Sequence, residues 1–261
     1  YQMGILSSDV LNASVLMILV LCTTASFITE HAAKELALQE SAKLESDHED
    51  DYWLLTSVGK DLRPTLREIG EMATLDNIEI KQSADWQDVS NMVEHTSKSV
   101  IVYNEVQPIN TINRLVVAVP RYAEKERDFI TCFGLVRRLA GELGAKVVFY
   151  AHPDTTVALQ TMCRRPGKYL RASFRNMEGW EEVGAISQTI MENDMLVLLS
   201  SRKSTASYNP LFEAIPVMLT QHFTGFSSMV VYPEQLTGAP DMDTLLTEIP
   251  PASKTWSLIV R

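Results

Sequence analysis

The side chains best placed for chemistry follow predicted strands at one edge of a sheet. The turns after Val119, after Tyr150 and after Ser200 come directly after apolar runs that are typical of buried parallel strands. Ligands of open α/β sheets bind outside the carboxyl ends of such strands, where the strand order reverses. Hydroxyl and guanidinium groups there could bind an anion, and an ordinary polar loop is the alternative. The candidate ligand-binding positions are Pro120, Arg121, Ser200, Ser201, Arg202, Lys203 and Ser204.

A second basic cluster stands out in a chain whose net charge is −10. Its members are Arg164, Arg165, Lys168, Arg171 and Arg175. Such a patch could contact anionic lipid head groups or an anionic small molecule, and a solvated face is the alternative. The acidic balance of the whole chain argues against nucleic acid as a partner, because duplex binding requires many Lys and Arg to neutralise phosphates.

Sequence motifs for catalysis and metal binding are absent. The Gly167-Lys168 pair lacks the first glycine and the Ser or Thr of a phosphate-binding P-loop. None of the five histidines has metal-ligand spacing, and no C-x-x-C or G-x-S-x-G occurs. The stretch GELGAK reads as a glycine helix end at Gly144. We therefore expect no catalytic residue, no metal site and no resident cofactor, although a nucleotide ligand stays open.

The elements that must position these residues alternate between strand and helix from Tyr52 to Pro233. Residues 52–110 predict a small βαβαβ unit, and residues 111–233 predict a longer series of five strands with intervening helices. Near-continuous apolar runs such as Leu115–Val119 and Leu196–Leu199 indicate strands that are buried on both faces. The predicted fold class is therefore α/β, with a doubly wound, mainly parallel sheet. Residues 234–261 are a predicted tail with an edge strand at 256–260.

The stretch VLNASVLMILVLCTTASFIT, Val10–Thr29, is twenty residues long and uncharged. As a helix it would rise about 30 Å, the thickness of a bilayer's hydrocarbon layer. We expect residues 1–29 to hold a transmembrane helix, with burial in a soluble core as the alternative, and residues 30–51 to form a helical and acidic linker. Basic residues follow the run and do not precede it, which favours a cytoplasmic location for everything after about residue 30. The three widely spaced cysteines agree with a reducing compartment, and the start at Tyr1 suggests a piece of a longer protein.

Residues 111–233 resemble the universal stress protein domain, a flavodoxin-like module that is often dimeric. The segments QPINTINRLVVAVPRYAEKERDF (107–129), FYAHP, LFEAIPVML and MVVYPEQ are similar to the cytosolic C-terminal region of bacterial cation:proton antiporters, which exchange Na⁺ or K⁺ for H⁺. In that family a last transmembrane helix leads directly into the soluble region, and the stretch GILSSDVLNASVLMILVLCTTASFITEHAAKELA is similar to that helix and its exit. The resemblance implies a protein of the inner membrane whose residues after about 30 form a non-catalytic regulatory region in the cytoplasm. Its partners would be the membrane domain of the same antiporter and a second copy of the chain, paired through the apolar edge segments MVVYP and WSLIV.

The resemblance to nucleotide-binding stress proteins is incomplete at the ligand site. Those proteins have an Asp in the first turn and a glycine-rich phosphate loop after the fourth strand. Here Pro120 occupies the first position, and residues 200–216 contain no glycine. Side chains in that loop would block close approach of a pyrophosphate to backbone amides. We therefore expect no ATP hydrolysis and weak or absent ATP binding; a free-standing, nucleotide-binding stress protein is the alternative.

Overall fold

The computed structural model describes residues 14–18, 21–22, 25, 52–126, 128–165, 169–203 and 205–234. The chain divides into two compact units, Tyr1–Glu49 and Asp50–Arg261. In the first unit, residues 14–18, 21–22 and 25 are helical, and the side chains of Val15, Leu16 and Leu21 are exposed. Among the residues described, no helix combines the length and the apolar character that crossing a membrane requires. The rest of the predicted span, the linker to residue 51 and the predicted edge strand at 256–260 lie outside the described residues.

The second unit is built on one eight-stranded sheet with the order β2-β1-β3-β8-β7-β4-β5-β6. The strands are β1 Trp53–Val58, β2 Ile78–Ser83, β3 Ser99–Asn104, β4 Arg114–Ala118, β5 Lys146–Ala151, β6 Ala172–Asn176, β7 Asp194–Leu199 and β8 Ser227–Tyr232. All neighbouring pairs are parallel except β3 with β8, which are antiparallel. The sheet thus has two parallel halves, β1–β3 and β4–β8, which meet at the β3/β8 seam. This confirms the predicted fold class.

The seam corrects one premise of the predicted dimer. Strand β8, which contains the segment MVVYP except for its Pro233, is paired on one side with β7 and on the other with β3, where Ile101 lies opposite Val231. Its backbone groups are therefore satisfied within the chain, so it cannot serve as an open edge. The edge strands of this sheet are β2 and β6.

Helices cover both faces of the sheet. The α-helices are α1 Arg63–Met72, α2 Trp86–His95, α3 Phe129–Leu143, α4 Pro153–Cys163 and α5 Ile215–His222. Short 3₁₀ helices occupy Ile109–Thr111, Ala123–Lys125, Trp180–Gln188 and Pro210–Ala214. Helix α3 ends at Gly144 with a left-handed φ of 62°, as the sequence predicted. Asp85 caps α2 by accepting hydrogen bonds from the backbone N–H groups of Gln87 and Asp88.

One predicted α-helix is instead a 3₁₀ helix. Residues 180–191 carry an apolar pattern with helical spacing, but the structure forms 3₁₀ turns over Trp180–Gln188. The Ser187 hydroxyl donates to the carbonyl of Gly184 at 2.7 Å, and the Thr189 hydroxyl donates to that of Ile186 at 3.0 Å. These hydroxyls reach carbonyls three residues back and so favour the tighter turn over regular α-helical bonding.

The core lies in two layers, one on each face of the sheet. Alternate strand residues divide between them: Leu55, Ile101 and Val117 pack in the layer with α1, α3 and α4. Leu54 and Val100 pack in the opposite layer with α2, α5 and the 3₁₀ helices Trp180–Gln188 and Pro210–Ala214. Because side chains of a strand alternate between faces, this is the arrangement of a sheet buried on both sides.

Candidate functional site

The strand order reverses at β4, which lies between β5 and β7. A cavity of about 240 Å³ opens above the carboxyl ends of these strands, and we call it the switch-point cavity. The segments that follow β4, β5, β6 and β7 line this cavity. Its walls are Val119, Pro120, Arg121, Tyr122, His152, Met177, Glu178, Gly179, Trp180, Ala206, Ser207, Tyr208 and Asn209.

Two buried polar groups of this cavity lack a hydrogen-bond partner within the described part of the chain: the indole Nε1 of Trp180 and the hydroxyl of Ser207. Each of these residues is 5% exposed. The Trp180 ring packs edge-on against Phe212, with ring centroids 4.6 Å apart. The backbone N–H of Ser207 donates to Glu126 Oε1 at 2.8 Å. Both side chains are thus held in place. Their Nε1 and hydroxyl atoms are themselves covered, so a molecule in the cavity would reach this N–H donor and this hydroxyl only after a small shift of the neighbouring side chains.

The turn after β4 is fixed in an uncommon conformation. Tyr122 has a φ of 66°, a left-handed value that few residues other than glycine adopt. Its backbone N–H donates to the Thr155 hydroxyl at 3.1 Å, and that hydroxyl donates to Glu124 Oε2 at 2.7 Å. The Tyr122 ring also lies 4.1 Å from the ammonium of Lys125 and 4.7 Å from the guanidinium carbon of Arg121. Strained turns of this kind are concentrated at ligand sites, which makes this turn a candidate.

The charged side chains at the switch-point cavity are already engaged. Arg121 Nη2 donates to Asp154 Oδ2 at 2.9 Å, and both side chains are about half exposed. His152 Nδ1 accepts from the backbone N–H of Asp154 at 3.2 Å and so caps α4. His152 Nε2 lies 3.8 Å from Glu178 Oε2. A surface ion pair such as Arg121–Asp154 is weak enough for an anionic ligand to displace the carboxylate.

The residues predicted after β7 line a different cavity. Ser200, Ser201, Arg202 and Lys203 border a space of about 360 Å³, which we call the junction cavity. Its other walls come from α2 (Trp86, Val89, Ser90, Val93, Glu94), from Tyr208, Phe212, Glu213 and Pro216, and from Tyr232 at the end of β8. Thus Pro120 and Arg121 belong to one cavity and Ser200–Lys203 to the other, while Tyr208 lines both. Ser204 lies outside the described residues.

Arg202 joins the two halves of the sheet. It is 4% exposed, and its Nε donates to the carbonyl of Pro233 at 2.8 Å. One terminal nitrogen donates to the carbonyl of Val93, and the other donates to that of Lys98 at 2.7 Å. Burial lowers the pKa of Arg202 to about 10, so the group stays protonated at neutral pH. Three of its five N–H groups are therefore committed to the backbone.

An exposed charge network lies at the mouth of the junction cavity. Lys203 Nζ is 3.2 Å from Glu213 Oε1 and 3.5 Å from Glu94 Oε1, and the Tyr208 hydroxyl donates to Glu213 Oε1 at 3.0 Å. The hydrogen bond to Glu213 raises the pKa of Lys203, and the bond from Lys203 lowers the pKa of Glu213. Glu94 belongs to the first half and Glu213 to the second, so Lys203 bridges the two.

The second basic cluster lies near the β6 edge. Arg164 and Arg165 directly follow α4, Arg171 precedes β6, and Arg175 is within it. Arg164, Arg171 and Arg175 are exposed, and Lys168 lies outside the described residues. In the part of the chain that the structure describes, no group of three or more His, Cys, Asp or Glu could hold a metal ion.

Comparison with known proteins gives a remote likeness to a solved structure. No family model matches the chain, and no curated protein matches it. The chain is similar to the crystal structure of the cytoplasmic domain of a prokaryotic cation chloride cotransporter, with a TM-score of 0.43 and 8% sequence identity. The similarity covers 74% of this chain and 69% of that chain.

Sequence reasoning found the turns but missed several of the side chains that shape the cavities. Trp180 and Ser207 carry the unpartnered polar groups, and Trp86 and Phe212 supply aromatic walls. A usable signal for Trp180 is a tryptophan that follows a glycine in the short loop after β6. Nothing in the local sequence distinguishes Ser207 from its neighbouring loop residues.

Proposed function

We propose that this chain is the cytosolic regulatory region of a bacterial monovalent cation:proton antiporter, and that it senses a small ligand without catalysing a reaction. The transporter assignment is supported by the sequence resemblance of residues 107–129 and of the run Val10–Thr29 to that family. On this proposal the run is the last membrane helix, in the inner membrane, and the residues after about 30 face the cytoplasm. The membrane domain of the same protein is the partner.

The observation that carries ligand sensing is the pair of unpartnered polar groups in the switch-point cavity. A buried donor or acceptor without a partner costs about 1–3 kcal/mol, which a ligand that completes the hydrogen bonds would recover. The indole N–H of Trp180 can only donate, so the ligand must offer an acceptor, and the Ser207 hydroxyl can either donate or accept. The cavity volume of about 240 Å³ is smaller than that of pockets for drug-sized ligands, so it suits a smaller molecule.

Regulation then needs binding energy alone. A ligand that prefers one arrangement of the cytosolic region shifts the transporter between its states by the ratio of its two affinities. No metal, cofactor or reactive side chain enters this scheme. A homodimer could transmit this change of arrangement to the membrane domain. Two copies of the chain could pair through the edge strands of the sheet, β2 and β6.

Expression of the complete gene tests the proposal. Everted membrane vesicles from a strain without its own antiporters should show proton movement upon addition of Na⁺ or K⁺, measured by the recovery of a quenched pH-sensitive dye. Vesicles from the empty vector are the control. A gene product that stays in the soluble fraction and moves no protons would contradict the proposal and favour the free-standing stress protein.

A further inference from the structure

The junction cavity has the size and apolar walls of a small-molecule site. Its volume of about 360 Å³ falls within the range typical of ligand pockets, about 300–1,000 Å³. Trp86, Val89 and Val93 of α2 face Phe212 and Pro216 of the second half across this space. Aromatic and aliphatic walls on opposite sides favour a flat apolar ligand.

The floor of the cavity is polar and positive. The Ser201 hydroxyl is buried and has no hydrogen-bond partner among the described residues, and Ser201 is 5% exposed. The next residue, Arg202, is also buried, and its guanidinium bonds three backbone carbonyls, which are neutral. The charge of Asp128 favours the protonated guanidinium, but the opposing effect of burial is larger, so the hydration that this cation has lost is only partly compensated. An anionic ligand group would add negative charge near Arg202, and its oxygens would accept from the Ser201 hydroxyl.

The mouth of the cavity is closed by weak interactions. Lys203 bridges Glu94 and Glu213, and these three side chains are between 55% and 63% exposed. Exposed ion pairs contribute little to stability, so the bridge can open and re-form at small cost. Lys203 could then turn toward an anionic ligand.

We propose that the junction cavity is a binding site for a small ligand with a flat aromatic body and one anionic group. The aromatic body lies between α2 and Phe212, and the anion faces Ser201 and Arg202. Because α2 belongs to the first half of the sheet and Phe212 to the second, the bound ligand connects the two halves across the β3/β8 seam. The binding claim is independent of the transporter assignment, since it is tested on the purified protein.

Matched probes test both parts of the ligand. 1-Naphthyl phosphate carries the aromatic body and the anion, and 1-naphthol carries the body alone. Calorimetry on the full chain in detergent should give a submillimolar Kd for the phosphate and at least a tenfold weaker one for the alcohol, with binding to empty micelles subtracted. Equal affinities, or no binding of the phosphate at millimolar concentration, would overturn the proposal.

Two variants at the junction cavity and two controls outside it locate the site. Ser90→Trp places a large ring on the exposed side of α2 at the cavity wall and should abolish binding of naphthyl phosphate. Gln87→Trp changes an exposed residue of the same helix that does not line the cavity and should leave binding unchanged. Ser201→Ala should weaken binding about fivefold, which is the loss of one hydrogen bond. Unchanged affinity in Ser90→Trp would refute the site, and so would a loss of affinity in Ser207→Ala, because Ser207 lines the switch-point cavity and not the junction cavity.

Discussion

Replacement of Arg202 by Met should destabilise the fold strongly, because this side chain holds the two halves of the sheet together. Met preserves the aliphatic stem and removes the donors to the carbonyls of Val93, Lys98 and Pro233. At about 1 kcal/mol for each buried or part-buried carbonyl that loses its donor, the expected loss is about 3 kcal/mol. For a domain of this size that corresponds to a fall in Tm of roughly 6–12 °C, which far-UV circular dichroism of the detergent-solubilised chain would measure.

The matched control is Arg63→Met. Arg63 also donates to a neighbour, Asp61 at 2.6 Å, but both side chains are about half exposed or more. Surface ion pairs of this kind contribute little to stability because solvent screens them, so its Tm should stay within about 3 °C of the wild type. Arg202→Lys should melt close to Arg202→Met, since one ammonium cannot reproduce the guanidinium fork. If Arg202→Met and Arg63→Met melt together, the assignment of Arg202 as the link between the halves is wrong.

Three further predictions concern other parts of the molecule. Burial raises the pKa of the Cys163 thiol to about 11. At pH 8 this thiol should therefore react with iodoacetamide about 100-fold more slowly than an ordinary cysteine, and the reaction should become faster when urea unfolds the protein. Rapid labelling of Cys163 in the folded protein would contradict this. Asp194→Asn should lower the free energy of unfolding, measured in urea, by about 2–3 kcal/mol. The reason is that the buried carboxylate accepts hydrogen bonds from Arg114 Nε at 2.9 Å and from the backbone N–H of Met191. An unchanged urea midpoint would contradict this prediction. ATP should not be hydrolysed and should bind weakly or not at all, since Pro120 replaces the Asp of nucleotide-binding stress proteins; a micromolar Kd by calorimetry would show that the missing glycines were over-interpreted.

The sequence predicts helices and strands well where their burial produces a regular pattern of apolar residues. Leu196–Leu199 is apolar at every position because β7 is covered on both faces, and Gly144 marks the end of α3 because it can adopt a positive φ. The antiparallel β3/β8 seam is different. Ile101 and Val231 are neighbours there although they are far apart in the chain, and the apolar alternation of each strand fixes its buried faces but not its partner.

The candidate site was only partly predictable for a related reason. The predicted turns all lie at the carboxyl edge of the sheet, as the strand pattern requires. Chain proximity and charge placed Arg202 among the ligand-binding residues. In the structure its guanidinium also bonds the carbonyls of Val93 in α2, of Lys98 before β3 and of Pro233 after β8. Those carbonyls come close only because the first half of the sheet docks at the seam, and this is a tertiary contact that no local pattern encodes.

Transport by switch-point variants tests the central claim most directly. Trp180→Phe removes the indole N–H and keeps an aromatic ring, and Ser207→Ala removes the hydroxyl, whereas Ser187→Ala removes a hydroxyl that is already bonded to Gly184. In everted vesicles with equal amounts of transporter, we expect the first two variants to change the initial rate of cation-dependent proton movement, or its half-saturating cation concentration, by several-fold and the third to match the wild type. If all three variants transport as the wild type does, the switch-point cavity does not regulate the transporter.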